Sequence, residues 1–278
     1  MAADVSGDIF FVPHGGGPLP LMGDPGHAGV TAMMRGIGPA LADCTAAIVV
    51  TAHWEAPQVS FSGGAHPDLV FDYYGFPPET YDYTYPAPGA PDLARTVAAH
   101  LADAGIDSDL DAERGYDHGT FVPMMLMRPD ADLPILQMSL LASLDPAGHI
   151  AVGKALAPVL DAGVALIGSG LSFHNLRALL RGESVPEGDD VAFDDWLNET
   201  LSGPDLDGAT REQRMTDWEA APGARSCHPR EEHLLPLHVC FGAAQAAGRE
   251  TATNIFRDDL MGYRTSGFRW PAATKAAP

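Results

Sequence analysis

Apolar residues in this chain gather into short unbroken runs, and three of those runs lead directly to a histidine. Ala46-Ala-Ile-Val-Val-Thr-Ala-His53-Trp54-Glu55 opens with five apolar residues in succession. It lacks the in/out alternation of a half-exposed strand, which predicts a strand at the centre of a parallel sheet covered on both faces. Ile9-Phe-Phe-Val12 runs into Pro13-His14-Gly15, and Val164-Ala-Leu-Ile167 runs through Gly168-Ser169-Gly170 to His174. Open α/β sheets bind ligands just past the carboxyl ends of their strands, so three histidines are expected at one sheet edge.

Between these runs the spacing turns helical. Pro91 to Gly105 predicts a helix with Leu93, Val97 and Leu101 on one stripe and Gly105 as its stop. Helix-compatible stretches also cover Thr31–Cys44, 148–160 and 189–201, the last with Val191, Phe193, Trp196 and Leu197 inward. Asp117-His118-Gly-Thr-Phe-Val-Pro reads as a loop entering a helix at His118. Further strands are expected at 57–61, as a short partner strand, at 133–140, and as one or two edge strands within 251–270. Residues 203–213 read as a polar connection. A last helix is expected to begin at Pro229, with Glu231 and Glu232 at its positive end and a kink at Pro236. The long segment 63–91, dense in Tyr, Phe and Pro, reads as a lid or rim, because loops of that length in compact domains are usually functional. Strand and helix alternate without an internal repeat, which predicts a single α/β domain over residues 1–270, with a mostly parallel central sheet and helices on both faces. Residues 271–278 are expected to be a frayed tail.

Composition narrows the partners. The 278 residues are 46% hydrophobic, enough for one large domain. The formal charge of −21, from 37 acids against 16 bases, speaks against nucleic acid and anionic membrane, since phosphate binding needs the opposite field. Cys44, Cys227 and Cys240 are widely spaced and form no C-x-x-C pair, so neither a disulfide framework nor a thiolate zinc site is suggested. The start carries no basic and apolar leader pattern, and no apolar run approaches the roughly 20 residues of a membrane span. A soluble, cytoplasmic protein is expected.

Eleven histidines remain to be explained. Five of them, His14, His53, His118, His174 and His233, sit at element ends, where loops of one sheet edge converge. Neutral imidazole is the usual nitrogen ligand of iron and zinc, and a catalytic metal needs about three protein ligands with positions left open for substrate. Five suffice for a metal site with acid/base help. His27, His66, His100, His149 and His238 read as structural or solvent-facing, and His228, one turn before His233, is ambiguous.

Six motifs, in order, carry a resemblance. They are Val-Pro-His14-Gly-Gly-Gly-Pro, Thr-Ala-His53-Trp, Tyr-Gly-Phe-Pro with Tyr-Pro-Ala-Pro-Gly (residues 74–89), Tyr-Asp-His118-Gly-Thr-Phe-Val-Pro, Gly-Ser-Gly-Leu-Ser-Phe-His174-Asn-Leu-Arg, and Glu-His233-Leu-Leu-Pro-Leu. Together, over residues 9–245, the chain resembles the class III extradiol ring-opening dioxygenases of the LigB superfamily, in particular the DOPA-4,5-dioxygenase branch. The resemblance implies a LigB-like α/β domain with His14, His53 and His233 as metal ligands and His174 and His118 as the active-site histidines beside them. His233 is preferred to His228 because the matched motif is Glu-His-Leu-Leu-Pro-Leu. It further implies one mononuclear Fe(II) per chain and a small aromatic diol, DOPA-like or another catechol, opened with O₂. A three-histidine set is one negative charge poorer than the two-histidine, one-carboxylate set of the best-known superfamily members. By ligand count and affinity order Zn²⁺ is also able to occupy it. Within the resemblance, Trp54 and the loop tyrosines, Tyr74 among them, are expected to wall the aromatic ring, and Arg177 to meet a substrate carboxylate. A homo-oligomer is compatible with the reading.

Two other classes compete. His14-Gly15-Gly16-Gly17 resembles the oxyanion loop of esterases, but no serine carries glycines at both −2 and +2; Gly170-Leu-Ser172-Phe-His174 comes nearest. A Memo-like, non-catalytic metal-binding relative is the other, and the presence of both His118 and His174 weighs against it. A dinucleotide site lacks the G-x-G-x-x-G spacing.

Overall fold

A computed structural model describes residues 6–272. In chain order the elements are β1 (Ile9–Pro13), α1 (Ala28–Ile37), β2 (Ala46–Ala56), β3 (Val59–Ser62), α2 (Pro91–Asp103), β4 (Ser108–Asp111), α3 (His118–Met127), β5 (Ile135–Leu141), α4 (Pro146–Leu160), β6 (Val164–Gly170), α5 (Leu176–Arg181), α6 (Asp189–Ser202), α7 (Gly208–Thr216), α8 (Ala224–Cys227), α9 (Leu235–Ala246), β7 (Thr253–Leu260) and β8 (Tyr263–Trp270). One eight-stranded sheet runs in the order β4-β3-β5-β2-β6-β1-β8-β7. The four central strands β5, β2, β6 and β1 are mutually parallel, and antiparallel pairings join β3 to β5 and β8 to β1.

The continuous apolar runs follow from this position. Successive residues of a strand face opposite sides, so Ile9, Phe11, Ile48 and Val50 pack into one core with α2, α4, α6 and α9. Phe10, Val12, Ala47 and Val49 pack into a second core with α1 and α3. Helices thus cover both faces, as the uninterrupted runs require.

Several elements depart from the sequence expectation. β2 continues through His53 to Ala56, with a shift of register against β5 between Val50 and Glu55. β3 pairs with β4 and β5, not with β2, because β5 lies between them. β4 was not anticipated, its residues Ser-Asp-Leu-Asp lying exposed at the sheet edge without an apolar pattern. The polar stretch 203–213 contains the start of α7, capped by Asp207. Its inward position is held by Arg211, whose guanidinium donates to the carbonyls of Thr200 and Gly203, so no apolar stripe marks the helix. Val191 is exposed on α6. The final helix begins at Leu235, so Pro236 stands in its first turn and no kink follows; residues 228–234 are an irregular segment that ends in a turn at 232–234. Of the expected frayed tail, residues 273–278 lie outside the described residues, whereas the Ala272 amide donates to Asp8.

Two buried histidines outside the candidate site make stability acid-sensitive. Burial drives the His228 imidazole down to about 3 against the opposing Ser172 carbonyl, and burial drives His238 down to about 4 against the Met215 and Leu234 carbonyls. An unfolded histidine titrates near 6.5, so between there and pH 4 the unfolded chain takes up protons that the fold refuses. Stability is therefore full above about pH 6.5 and falls with acid, by up to about 1.4 kcal/mol per pH unit for each histidine. Denaturant midpoints of metal-free protein should drop between pH 7.5 and pH 5; equal midpoints would contradict this reading.

Candidate metal centre

The parallel strands deliver their histidines to one edge. His14 follows β1 directly, His53 lies in β2 beyond its last pairing with β6 at Thr51, and His174 follows β6 by a three-residue connection. His118 opens α3 and His233 precedes α9, so both come from the loops at that edge. The register shift in β2 frees the segment that carries His53 from the regular ladder, as bulges do beside sites. Two glycines permit the approach. A Cβ at Gly119 would lie 2.8 Å from the His53 ring, and one at Gly170 would lie 2.1 Å from the His233 carbonyl oxygen, which accepts from the Leu171 amide.

Three groups of side chains bring their donor atoms within 4.8 Å of one another: His14, His53 and His233; His53, Asp72 and His118; His174, Glu232 and His233. The hydrogen bonds assign the ring protons. The Ser169 hydroxyl donates to the Gly119 carbonyl, so at 3.0 Å from His14 Nδ1 it must accept, and His14 carries its proton on Nδ1. His118 Nδ1–H donates to Asp72 Oδ1 at 2.7 Å. Glu232 Oε1 lies 2.9 Å from Nδ1 of both His174 and His233 and accepts from both, the two rings stacking at 3.4 Å. His53 Nδ1 points at Asp72 Oδ2 from 3.7 Å. The rings of His14, His118, His174 and His233 are thus held at Nδ1, leaving Nε2 with its lone pair, and the Asp72 carboxylate stands on the Nδ1 side of His53.

Electrostatics favour this state. Burial first, then the neighbouring imidazoles, hold His14, His53 and His233 well below the usual histidine range, so all three are neutral at pH 7. Burial would raise Asp72, but the His118 hydrogen bond and the nearby rings outweigh it and bring the carboxyl down to about 2. Glu232 is likewise opposed by burial and lowered by its bond from His174. His14 Nε2 and His53 Nε2 face each other at 3.1 Å. Two ring nitrogens at that distance need a proton or a metal ion between them, and two nitrogens bound to one ion at about 2.1 Å stand about 3.0–3.4 Å apart. The donor set fits a divalent metal of the nitrogen-preferring kind.

A cavity of about 660 Å³ opens on these rings, lined by all five histidines, Gly15–Gly17, Tyr73, Tyr74 and Phe76 of the rim loop, and an apolar wall from α5. A family model described as the catalytic LigB subunit of aromatic ring-opening dioxygenase matches residues 9–269. The chain belongs to the LigB family. It is 40% identical to a dioxygenase, tasH, of Hapsidospora irregularis over 94% of this chain and 85% of that protein. It is 37% identical to the 4,5-DOPA dioxygenase extradiol of Beta vulgaris over 80% of this chain and 82% of that one. The crystal structure of an uncharacterized protein from Escherichia coli K12 superposes with a TM-score of 0.76 at 29% identity, covering 95% of this chain and 99% of the other. The chain is therefore a class III extradiol dioxygenase of the DOPA-dioxygenase type, with the α/β fold of that family.

Against that LigB frame, some residues singled out in the sequence lie away from the cavity. Trp54 does not line it, although Ala52, His53 and Glu55 do, and its indole lies outside the lining. There Trp54 carries the Arg114 guanidinium at 4.8 Å, and Arg114 pairs with Asp117, which accepts from the Thr51 hydroxyl at the base of the His53 segment. Arg177 is exposed on α5 and outside the lining. Tyr74 lines the mouth while 90% exposed. His228 lies in the core, donating Nε2–H to the Ser172 carbonyl beside Phe193 and Trp218. His27 is buried, accepting the Gly16 amide and donating to Asp24, and so shapes the glycine turn. Asp72 and Glu232 are functional neighbours that pattern reasoning missed. Asp72 sits in an irregular loop with no periodicity to mark it, and Glu232 passes for a helix-terminus acid; adjacency to His233 was its one signal.

Removing the acceptor that fixes one ring tests the Nδ1 arrangement. Ser169→Ala leaves the His14 tautomer unset and is expected to weaken metal affinity about 10–100-fold while circular dichroism stays native. Metal titration checks it, and unchanged affinity would contradict the assignment.

Proposed function

We propose that this dioxygenase opens the ring of a catechol-type diol with O₂, using one Fe(II) per chain held by His14, His53 and His233. The observation that supports it most is the convergence of three neutral imidazoles, with Nε2 lone pairs free, on a cavity that two further histidines also border. Three protein ligands leave positions for both catechol oxygens and for O₂. Bound iron would supply Lewis acidity toward the diol and an electron path from ring to O₂.

The protein's own groups then do the rest. His174 has Nδ1–H committed to Glu232, so its Nε2 is a base of fixed tautomer, suited to take a catechol proton. Glu232 stabilises the imidazolium that forms, and Arg230, 3.4 Å from its second oxygen, steadies the carboxylate. His118, fixed by Asp72 through both its ring and its amide, is suited to hydrogen-bond a substrate oxygen. Tyr73 and Phe76 keep the aromatic face dry. The hydrolase alternative loses support from Ser169: although a serine–histidine pair exists, that hydroxyl is fully buried and its proton goes to a carbonyl, not to the histidine.

Anaerobically purified protein is expected to bind about one Fe(II) per chain and to give a yellow ring-opened product from a catechol and O₂; an iron-loaded protein inert toward a broad catechol panel would sink the proposal. Replacing His53 by Ala should abolish iron occupancy together with activity, since binding needs all three ligands to converge. His174→Ala should keep its iron while turnover falls about 10²–10⁴-fold, the usual loss of a positioned proton-transfer group. Metal analysis beside steady-state rates separates the two; loss of iron from His174→Ala would overturn the division of roles.

A further inference from the structure

The part of the cavity beyond the imidazoles bears on which catechol enters, an inference that rests on the dioxygenase reading above. α5 presents Leu176, Leu179 and Leu180, the i, i+3 and i+4 positions of one helix face, to the cavity. Leu176 and Leu180 are 54% and 71% exposed, so the mouth holds large apolar side chains in water where surface positions usually carry polar ones. Leu19, Phe76 and Met261 continue that wall.

Charge in the same lining has one sign. Apart from histidine, its acid/base side chains are Glu55, Glu232 and two tyrosines, and among the described residues no lysine or arginine lines it. The nearby cations are engaged or turned away. Arg230 gives both guanidinium nitrogens to Glu55 at 2.6 Å and lies beside Glu232. Arg177 follows Leu176 by one residue, about 100° around the helix, and is off the cavity face. A substrate carboxylate would stand on that apolar wall beside two glutamates, with no lysine or arginine of the lining to pair with.

We propose that the substrate is a catechol whose ring substituent is apolar and uncharged, alkyl or aryl, seated between the α5 leucines and Phe76, and that carboxylate-bearing catechols are poor substrates. The diol faces the histidines and the substituent points to the mouth. Each methylene removed from water there strengthens binding by up to about fourfold. A carboxylate on a substituent of equal length weakens it by about tenfold or more, since like charges face it and no cation of the lining pairs with it. This departs from the amino-acid catechol for which the Beta vulgaris relative is named.

The test uses Fe(II)-loaded protein. Binding of 4-methyl-, 4-butyl- and 4-hexylcatechol, of 3,4-dihydroxyphenylpropionate and of L-DOPA is measured by anaerobic calorimetry, and kcat/KM is measured after O₂ is admitted. Kd is expected to fall stepwise with alkyl length, and both carboxylates to bind about tenfold or more weaker than butylcatechol. Leu176→Arg should narrow that gap by improving dihydroxyphenylpropionate and harming hexylcatechol. Affinity independent of alkyl length, or carboxylates bound as tightly as their neutral counterparts, would overturn the inference. Selective alkylcatechol binding without ring opening by any compound would uphold it and fault the dioxygenase reading, whereas failure to bind any catechol would overturn both.

Discussion

The candidate centre depends on where five protons reside. An imidazole binds a metal or accepts a proton only through a nitrogen that carries a lone pair, and a neutral ring has one such nitrogen. Ser169, Asp72 and Glu232 hold the Nδ1 of His14, His118, His174 and His233, so Nε2 is the nitrogen those four rings leave free, while Asp72 also stands 3.7 Å from Nδ1 of His53. Ser169 does this only because the Gly119 carbonyl takes its own proton. Burial then keeps the three converging rings neutral, and two ionised carboxylates supply the negative charge that a set of three histidines lacks.

The fold serves this arrangement by bringing several strand ends to one edge. Parallel pairing of β1, β6 and β2 sends their carboxyl ends the same way, and each pairing is specified by apolar runs that only a doubly covered sheet accommodates. At that edge regularity gives out: β2 slips its register, and Gly119 and Gly170 let His53 and the His233 backbone approach more closely than a side chain would allow. The rim loop then closes the side with Asp72, Tyr73 and Phe76, one residue anchoring two rings and the others walling the cavity.

Much of this was legible in the amino-acid order, and the limits have physical causes. The central strands follow from apolar runs, three of which lead to His14, His53 and His174, most helices follow from periodic spacing, and His118 and His233 join the set as histidines at element ends. Periodicity could not see β4 or α7, since an exposed edge strand and a helix with a buried arginine in its inward place carry no apolar stripe. Trp54 was drawn to the cavity by its neighbour His53, whereas its ring lies under the Arg114 guanidinium outside the lining. Asp72 and Glu232 act through other residues, and nothing local marks a carboxylate that orients a ring brought to it by the fold. Composition showed the acidity of the chain without showing that two of its acids hold the histidines.

The three donor groups overlap at His53 and His233, so one ion has three candidate positions, of which only one is framed entirely by histidines. A crystal structure of the Fe(II)-loaded protein with anomalous data at the iron edge tests this directly. The expected result is a single peak about 2.1 Å from Nε2 of His14, His53 and His233, with Asp72 and Glu232 still bonded to their rings. A peak bound to Asp72 with His118, or to Glu232 with His174, would contradict the account.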